Sequence, residues 1–119
     1  KMILIINICK ERLHYYEFVK PIEDILLNEG IEFYTKHYTK FTDKDLKASK
    51  IIICGTSLRD FDYFQPENFK KFRWLKIFNK PVFGICGGMQ IIAKLFGCDL
   101  RERTEIGQTD VFLKKNFLV

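Results

Sequence analysis

The residues best suited to chemistry are a cysteine and the small residues around it. Cys86 stands in the run Gly84-Ile85-Cys86-Gly87-Gly88, with glycine two positions before it and two positions after it. This spacing is typical of a nucleophile elbow, a sharp strand-to-helix turn that needs small residues on both sides. At a helix N-terminus, unpaired N–H groups and the helix dipole favour the thiolate over the thiol. The pattern predicts a reactive thiol, with the Gly87 amide as the first donor to a developing oxyanion.

Alternating strand and helix patterns surround this turn, which argues against an ordinary buried and inert cysteine. The predicted strands are residues 2–6, 31–38, 51–54 and 82–85, and the predicted helices are residues 15–28, a short helix from Thr42, 66–79 and 88–96. Such alternation predicts an α/β fold, a three-layer, doubly wound, mostly parallel sheet of flavodoxin-like type. Cys9, Cys54 and Cys86 are predicted to lie at the carboxyl ends of strands, where ligands gather in these sheets.

Composition narrows the classes of function. The chain has 119 residues and a formal net charge of +5, which fits one domain. Basic residues cluster at one place, in Lys70, Lys71, Arg73 and Lys76. We interpret this cluster as a solvated helix face, so no nucleic-acid partner is expected. The apolar runs are too short to cross a bilayer. The four cysteines lack CxxC spacing and no secretory leader precedes them, so neither a zinc site nor a disulfide framework is expected. The cytoplasm is the expected compartment.

One segment resembles a known family. Residues 81–93, Pro-Val-Phe-Gly-Ile-Cys-Gly-Gly-Met-Gln-Ile-Ile-Ala, closely resemble the signature of class I glutamine amidotransferases, in which a cysteine attacks the side-chain amide of glutamine. Two weaker similarities agree with it. Residues 51–57 lie where the family has a strand leading into a Gly-Gly-Pro oxyanion loop, and Glu105-Ile106-Gly107 resembles its Glu-x-Gly segment.

The resemblance implies a role for individual residues. Cys86 would form the γ-glutamyl thioester, the Gly87 amide would donate to the oxyanion, and Gln90 would help to hold the substrate glutamine. Gly55 matches the first glycine of the oxyanion loop, whereas Thr56 replaces the second glycine and Ser57 replaces the proline. Thr56 can still offer its backbone N–H if the loop does not need the conformational freedom of glycine.

The larger departure from the family is a missing base. Family members take the proton-shuttling base from a His-Pro-Glu type segment downstream of the nucleophile, but His14 and His37, the only histidines here, both precede Cys86. We interpret His14 as a surface or helix-start residue and His37 as structural. Because nucleophile and base act as a unit, residues 1–119 are expected to be an incomplete amidotransferase-like domain, truncated at the C-terminus and inactive or nearly so alone. Residues 105–119 are predicted as a strand, a turn at 114–116 and the start of another strand.

Three functions remain open at this point. The leading interpretation is a glutaminase that hydrolyses glutamine and passes ammonia to a synthetase partner, and Gln90 with residues 105–107 favours it. The second is a noncatalytic flavodoxin-like binding or regulatory module that has lost the base. The third is another cysteine hydrolase, such as a γ-glutamyl hydrolase. No P-loop, dinucleotide fingerprint or metal-ligand cluster occurs in the sequence, so we expect no cofactor and no metal.

Overall fold

The computed structural model describes residues 2–97 and 111–113. Its strands are β1 (Ile3–Asn7), β2 (Phe33–His37), β3 (Lys50–Ile53), β4 (Val82–Ile85) and β5 (Val111–Leu113), and its α-helices are α1 (Arg12–Phe18), α2 (Lys20–Asn28), α3 (Pro66–Phe69) and α4 (Gly87–Leu95). Tyr38–Lys40, Asp43–Lys47, Asp62–Phe64 and Lys70–Lys76 form 3₁₀ segments. Cys98, residues 105–107 and the turn predicted at 114–116 lie outside the described residues. No helix in the described part combines the length and apolarity that a membrane span requires.

The strands form one sheet in the order β2-β1-β3-β4-β5. Neighbours among β1 to β4 are parallel, and β5 pairs antiparallel with β4. The predicted mostly parallel α/β sheet is therefore confirmed, with the strand order of flavodoxin-like proteins. The order reverses beside β1, so the carboxyl ends of β1 and β3 flank the crevice where such sheets bind ligands.

Successive strand residues point to opposite faces of the sheet, and both faces are covered. On one face the strand residues Ile3, Ile5 and Ile52 pack with Val19 and Leu26 of the segment that contains α1 and α2. On the other face the intervening residues of the same strands pack beneath the Lys70–Lys76 segment and α4, and this cluster includes Leu4, Ile6, Ile51, Ile53, Phe72, Leu75, Ile91 and Ile92. This alternation explains the uninterrupted apolar runs of the strands and confirms the three-layer arrangement.

The helix predicted at residues 15–28 is two helices with a break at Val19. Helix α1 ends at Phe18, helix α2 begins at Lys20, and Pro21 lies in the first turn of α2. Proline has no N–H to donate to the carbonyl four residues earlier, so the first helix cannot continue through this position. Val19 at the break is wholly buried, which anchors both helices to the sheet.

The α-helix predicted at residues 66–79 is wrong in type for most of its length. The α-helix α3 ends at Phe69, and the chain continues as the 3₁₀ segment Lys70–Lys76. The apolar residues recur at every third position, as Phe69, Phe72, Leu75 and Phe78. A helix with three residues per turn places such residues in one line, whereas an α-helix would spread them around its surface. The four basic residues of the cluster are exposed on the other side, as predicted.

A buried carboxylate ties β2 to the Asp43–Lys47 segment. Asp45 is 3% exposed, and its carboxylate accepts hydrogen bonds from Tyr34 Oη at 2.9 Å, Lys36 Nζ at 3.0 Å and the Thr42 N–H at 2.8 Å. Burial acts to raise the pKa of Asp45, but the Thr42, Lys36 and Tyr34 donors outweigh it and hold the pKa below its ordinary value.

We expect Asp45→Asn to destabilise the chain by about 1–3 kcal/mol at pH 7, because charge-assisted hydrogen bonds are lost. The folded-state pKa lies below the unfolded value of about 3.9. The carboxylate's contribution is therefore complete above that value and lost as the pH falls through the folded-state pKa. Urea unfolding of both proteins between pH 3 and pH 7 measures the difference. Asp43→Asn, at an exposed neighbouring position, should change little at any pH, and a pH-independent effect at Asp45 would contradict this account.

A second prediction concerns the contact between α4 and β3. A Cβ added at Gly88 would lie 2.1 Å from the Ile53 carbonyl oxygen. Backbone must move to relieve that clash, so Gly88→Ala should lower the free energy of unfolding by about 3 kcal/mol or more. Gly30→Ala is the control, because it has φ +71° but nothing within 4 Å of the added Cβ and should cost only about 1 kcal/mol. Equal losses in thermal unfolding would show that close approach is not the constraint at Gly88.

Candidate active site

Cys86 occupies the turn between β4 and α4. Strand β4 ends at Ile85, helix α4 begins at Gly87, and the backbone of Cys86 has φ 51° and ψ −112°. Within the described residues, Cys86 alone among the non-glycine residues has a positive φ. Such a conformation costs about 1–3 kcal/mol and persists where the surrounding packing imposes it. The predicted strained strand-to-helix turn at Cys86 is confirmed.

Glycine on each side of Cys86 allows the strand end and the helix start to approach closely. A Cβ added at Gly84 would lie 2.7 Å from the backbone carbonyl of Gly88 and from the Met89 nitrogen. Gly84 and Gly88 are therefore required for space, and the flanking glycines predicted from the sequence serve this purpose.

Cys86 lies against the loop that follows β3, as predicted. A Cβ added at Gly55 would lie 2.8 Å from Cys86 Cβ and 3.6 Å from Cys86 Sγ. Gly55 does not have a positive φ, so the absence of a side chain there serves the contact with Cys86 rather than an unusual backbone conformation. The structure thus brings the candidate nucleophile and the candidate oxyanion loop into contact.

Thr56, which replaces the second glycine of that loop, is held by a buried aspartate. The Thr56 hydroxyl donates to Asp60 Oδ2 at 2.9 Å, and the Lys10 N–H donates to the same oxygen at 2.7 Å. The Asp62 N–H donates to Asp60 Oδ1 at 3.2 Å. Thr56 has no positive φ, so this loop does not use the backbone freedom of a second glycine. Asp60, 7% exposed, links the loops after β1 and β3.

Gln90 lies in the first turn of α4, where its N–H donates to the Cys86 carbonyl at 3.1 Å. Tyr63 Oη donates to Gln90 Oε1 at 3.3 Å. The Tyr63 side chain is 3% exposed, and burial, followed by the nearby Asp60 and Cys86, raises its pKa to about 12. The phenol therefore keeps its proton at neutral pH and acts as a donor.

Sequence reasoning missed both Asp60 and Tyr63. They belong to the stretch 57–65, which has no recognisable motif and connects β3 to α3. The apolar run of β3 just before them could have pointed to this segment, since a loop at the carboxyl end of a parallel strand faces the ligand crevice. Their roles depend on where the loop folds, which the residue types alone do not specify.

The thiols at this edge of the sheet differ in accessibility. Cys54 is wholly buried, and burial raises its pKa to about 12. Cys9 is 4% exposed, and its Sγ donates to the Gly55 carbonyl at 3.7 Å. Burial is the main cause that raises the pKa of Cys9. Cys86 is half-buried, so among the described cysteines it is the one that a reagent reaches most easily.

The two histidines lie on different elements, His37 at the end of strand β2 and His14 on helix α1. His37 ends β2, which lies three strand spacings, or about 14 Å, from β4. Its Nε2 lies 2.8 Å from the Cys9 carbonyl oxygen, and its Nδ1 lies 2.8 Å from Thr39 Oγ1. The structural interpretation of His37 is therefore supported. His14 belongs to α1, packs its ring edge on Phe18 and lines a cavity of about 260 Å³ with residues that include Asp60.

Comparison with known proteins identifies the family. Residues 13–116 match the family described as Glutamine amidotransferase class-I. The chain is 38% identical over 90 residues to the GMP synthase (glutamine-hydrolyzing) of Borreliella burgdorferi strain N40, and 36% identical over 90 residues to that of strain ATCC 35210. Each alignment covers 71% of this chain, and the chain spans 17% of the length of these curated relatives.

A solved structure agrees with the sheet described above. It is a glutamine amidotransferase from Thermotoga maritima, with a TM-score of 0.53 and 20% identity over 81% of this chain and 43% of that one. At this identity the likeness concerns the fold, whereas the sequence match extends over most of the chain. This chain therefore belongs to the class I glutamine amidotransferase family.

Proposed function

We propose that this chain is the nucleophile-bearing part of a glutaminase and attacks the side-chain amide of glutamine through Cys86. The observation that carries the proposal is the geometry of the turn. Cys86 has a positive φ between β4 and α4, and its sulfur lies beside Gly55. A thiolate at this position meets the first N–H groups of a helix, which stabilise negative charge on sulfur and on an attacked carbonyl.

The chemistry proceeds in two stages. The Cys86 thiolate adds to the side-chain carbonyl carbon of glutamine, and the resulting oxyanion accepts hydrogen bonds from the Gly87 N–H and from the N–H of Thr56 in the Gly55-Thr56 loop. Collapse of this intermediate breaks the C–N bond, and the nitrogen leaves as ammonia after taking a proton. Water then attacks the γ-glutamyl thioester, which releases glutamate and restores the thiol.

Proton transfer is the part of this reaction for which the sequence has no histidine after Cys86. The leaving nitrogen needs an acid and the water needs a base. His37 is three strands from β4, with both ring nitrogens in contact with polar groups. We propose that a histidine and an acidic partner come from further polypeptide, in the same protein or in another subunit.

The ammonia acceptor belongs to a synthetase in this proposal. The curated relatives are GMP synthases that hydrolyse glutamine, and this chain corresponds to 17% of their length. We infer that a synthetase domain or subunit receives the ammonia released at Cys86. We also propose a cytoplasmic location, because Cys9, Cys54 and Cys86 are free thiols, as expected in a reducing compartment.

A noncatalytic binding module is the second candidate. The position of His37 favours it, because a chain without a nearby base would bind glutamine without turning it over. The two candidates predict the same reactive thiol and differ in turnover.

A third prediction concerns the reactivity of Cys86. A chloroketone analogue of L-glutamine should alkylate Cys86 at least tenfold faster than Cys9 or Cys54, because burial raises the pKa of both other thiols and reduces their thiolate fraction. Mass spectrometry of peptides from the native chain measures the rate at each cysteine, including Cys98. Equal labelling of all cysteines under native conditions would contradict the elbow interpretation.

A fourth prediction concerns turnover. The 119-residue chain alone should release no ammonia from glutamine above background, because its sequence has no histidine after Cys86 to serve as acid and base. A longer product that adds a His and acidic pair should release ammonia, and Cys86→Ala should abolish that activity. Robust turnover by the short chain would refute the missing-base argument and make His14 a candidate base. A longer product that contains the pair and remains inactive would favour the binding module.

A further inference from the structure

We propose that Tyr63 is a positioning residue that orients Gln90 toward an oxygen atom of the bound glutamine. The inference rests on the proposed function, since it assigns a role within the same glutamine site. Tyr63 belongs to the Asp62–Phe64 segment after β3, whereas Gln90 belongs to α4, so the contact joins the loop region to the nucleophile's own helix.

A hydrogen bond runs from the Tyr63 hydroxyl to the side chain of Gln90. Tyr63 Oη lies 3.3 Å from Gln90 Oε1 and donates to it. The phenol is buried and retains its proton at neutral pH, because burial raises its pKa to about 12. This bond engages one lone pair of the Gln90 carbonyl oxygen and fixes the orientation of the amide, whose Nε2 then presents two N–H donors. Gln90 therefore suits a carbonyl or carboxylate oxygen of the substrate rather than its amide nitrogen.

Tyr63 also packs against the turn itself. A Cβ added at Gly87 would lie 3.0 Å from Tyr63 Oη and 2.9 Å from Ile8 Cδ1. The phenol thus occupies the space beside Gly87 that a side chain would need. Tyr63 contacts the two positions of α4 that the proposed mechanism uses, Gly87 for the oxyanion and Gln90 for the substrate.

The experiment compares two alkylating agents on the full 119-residue chain. The chloroketone analogue of L-glutamine must be recognised by the site, whereas iodoacetamide reports thiol reactivity alone. Tyr63→Phe keeps the ring and removes the hydroxyl, so we expect the chloroketone rate constant at Cys86 to fall about threefold to tenfold, the range for a lost hydrogen bond. The iodoacetamide rate should fall by a smaller factor, since this reagent does not use the Gln90 subsite.

Matched variants separate positioning from stability. Tyr38→Phe removes a hydroxyl from another buried tyrosine and should leave both rates unchanged. In a Gln90→Leu background, Tyr63→Phe should have no further effect on the chloroketone rate, because the partner of the hydroxyl is already absent. If Tyr63→Phe impairs folding, as circular dichroism would show, Gln90→Leu alone still tests the subsite by a selective loss of the chloroketone rate.

The possible outcomes distinguish this inference from the proposed function. Equal rate constants with the L and D chloroketones in the wild-type chain would contradict the presence of a glutamine site, and therefore also the role of Tyr63. Selectivity for the L form that Tyr63→Phe leaves unchanged would overturn the role of Tyr63 alone. A parallel fall in both rates, or an undiminished effect in the Gln90→Leu background, would make Tyr63 a structural residue.

Discussion

The close approach of backbone segments around Cys86 is the constraint on which the rest of the structure depends. Gly84 lets the end of β4 meet the start of α4, Gly88 lets α4 meet the Ile53 carbonyl of β3, and Gly55 lets the next loop meet Cys86. Even a methyl group at any of these three positions would clash with the facing segment and force the two elements apart. The strained backbone of Cys86 is maintained because packing on three sides leaves it no relaxed alternative.

The segment after β3 supports this turn from the opposite side. Asp60 is buried and accepts hydrogen bonds from Thr56, Lys10 and Asp62, so it ties the candidate oxyanion loop to the loop after β1. A few residues later, Tyr63 reaches α4. Two polar side chains of one connecting segment thus hold both the loop and the helix next to the nucleophile. Burial makes each of these contacts strong, because an unpaired polar group would be costly there.

Burial also decides which thiol is available. Parallel strands end at one edge of the sheet, so Cys9, Cys54 and Cys86 come to the same region. Cys9 and Cys54 follow the ends of β1 and β3 and are buried, and burial raises the pKa of both. Cys86 follows a turn that lifts it out of the strand direction and leaves it half-buried. One fold therefore protects two cysteines and presents the third.

What the sequence determined by itself was local. Strand runs, helical spacing and the glycines around Cys86 predicted the α/β sheet and the strained turn, because steric rules act over a few residues. The tertiary structure decided the rest. Pro21 divided one predicted helix, and the spacing of Phe69, Phe72 and Leu75 suited a 3₁₀ segment under sheet packing. The contacts of Asp60 and Tyr63 join residues of separate elements, and only the folded chain brings such residues together.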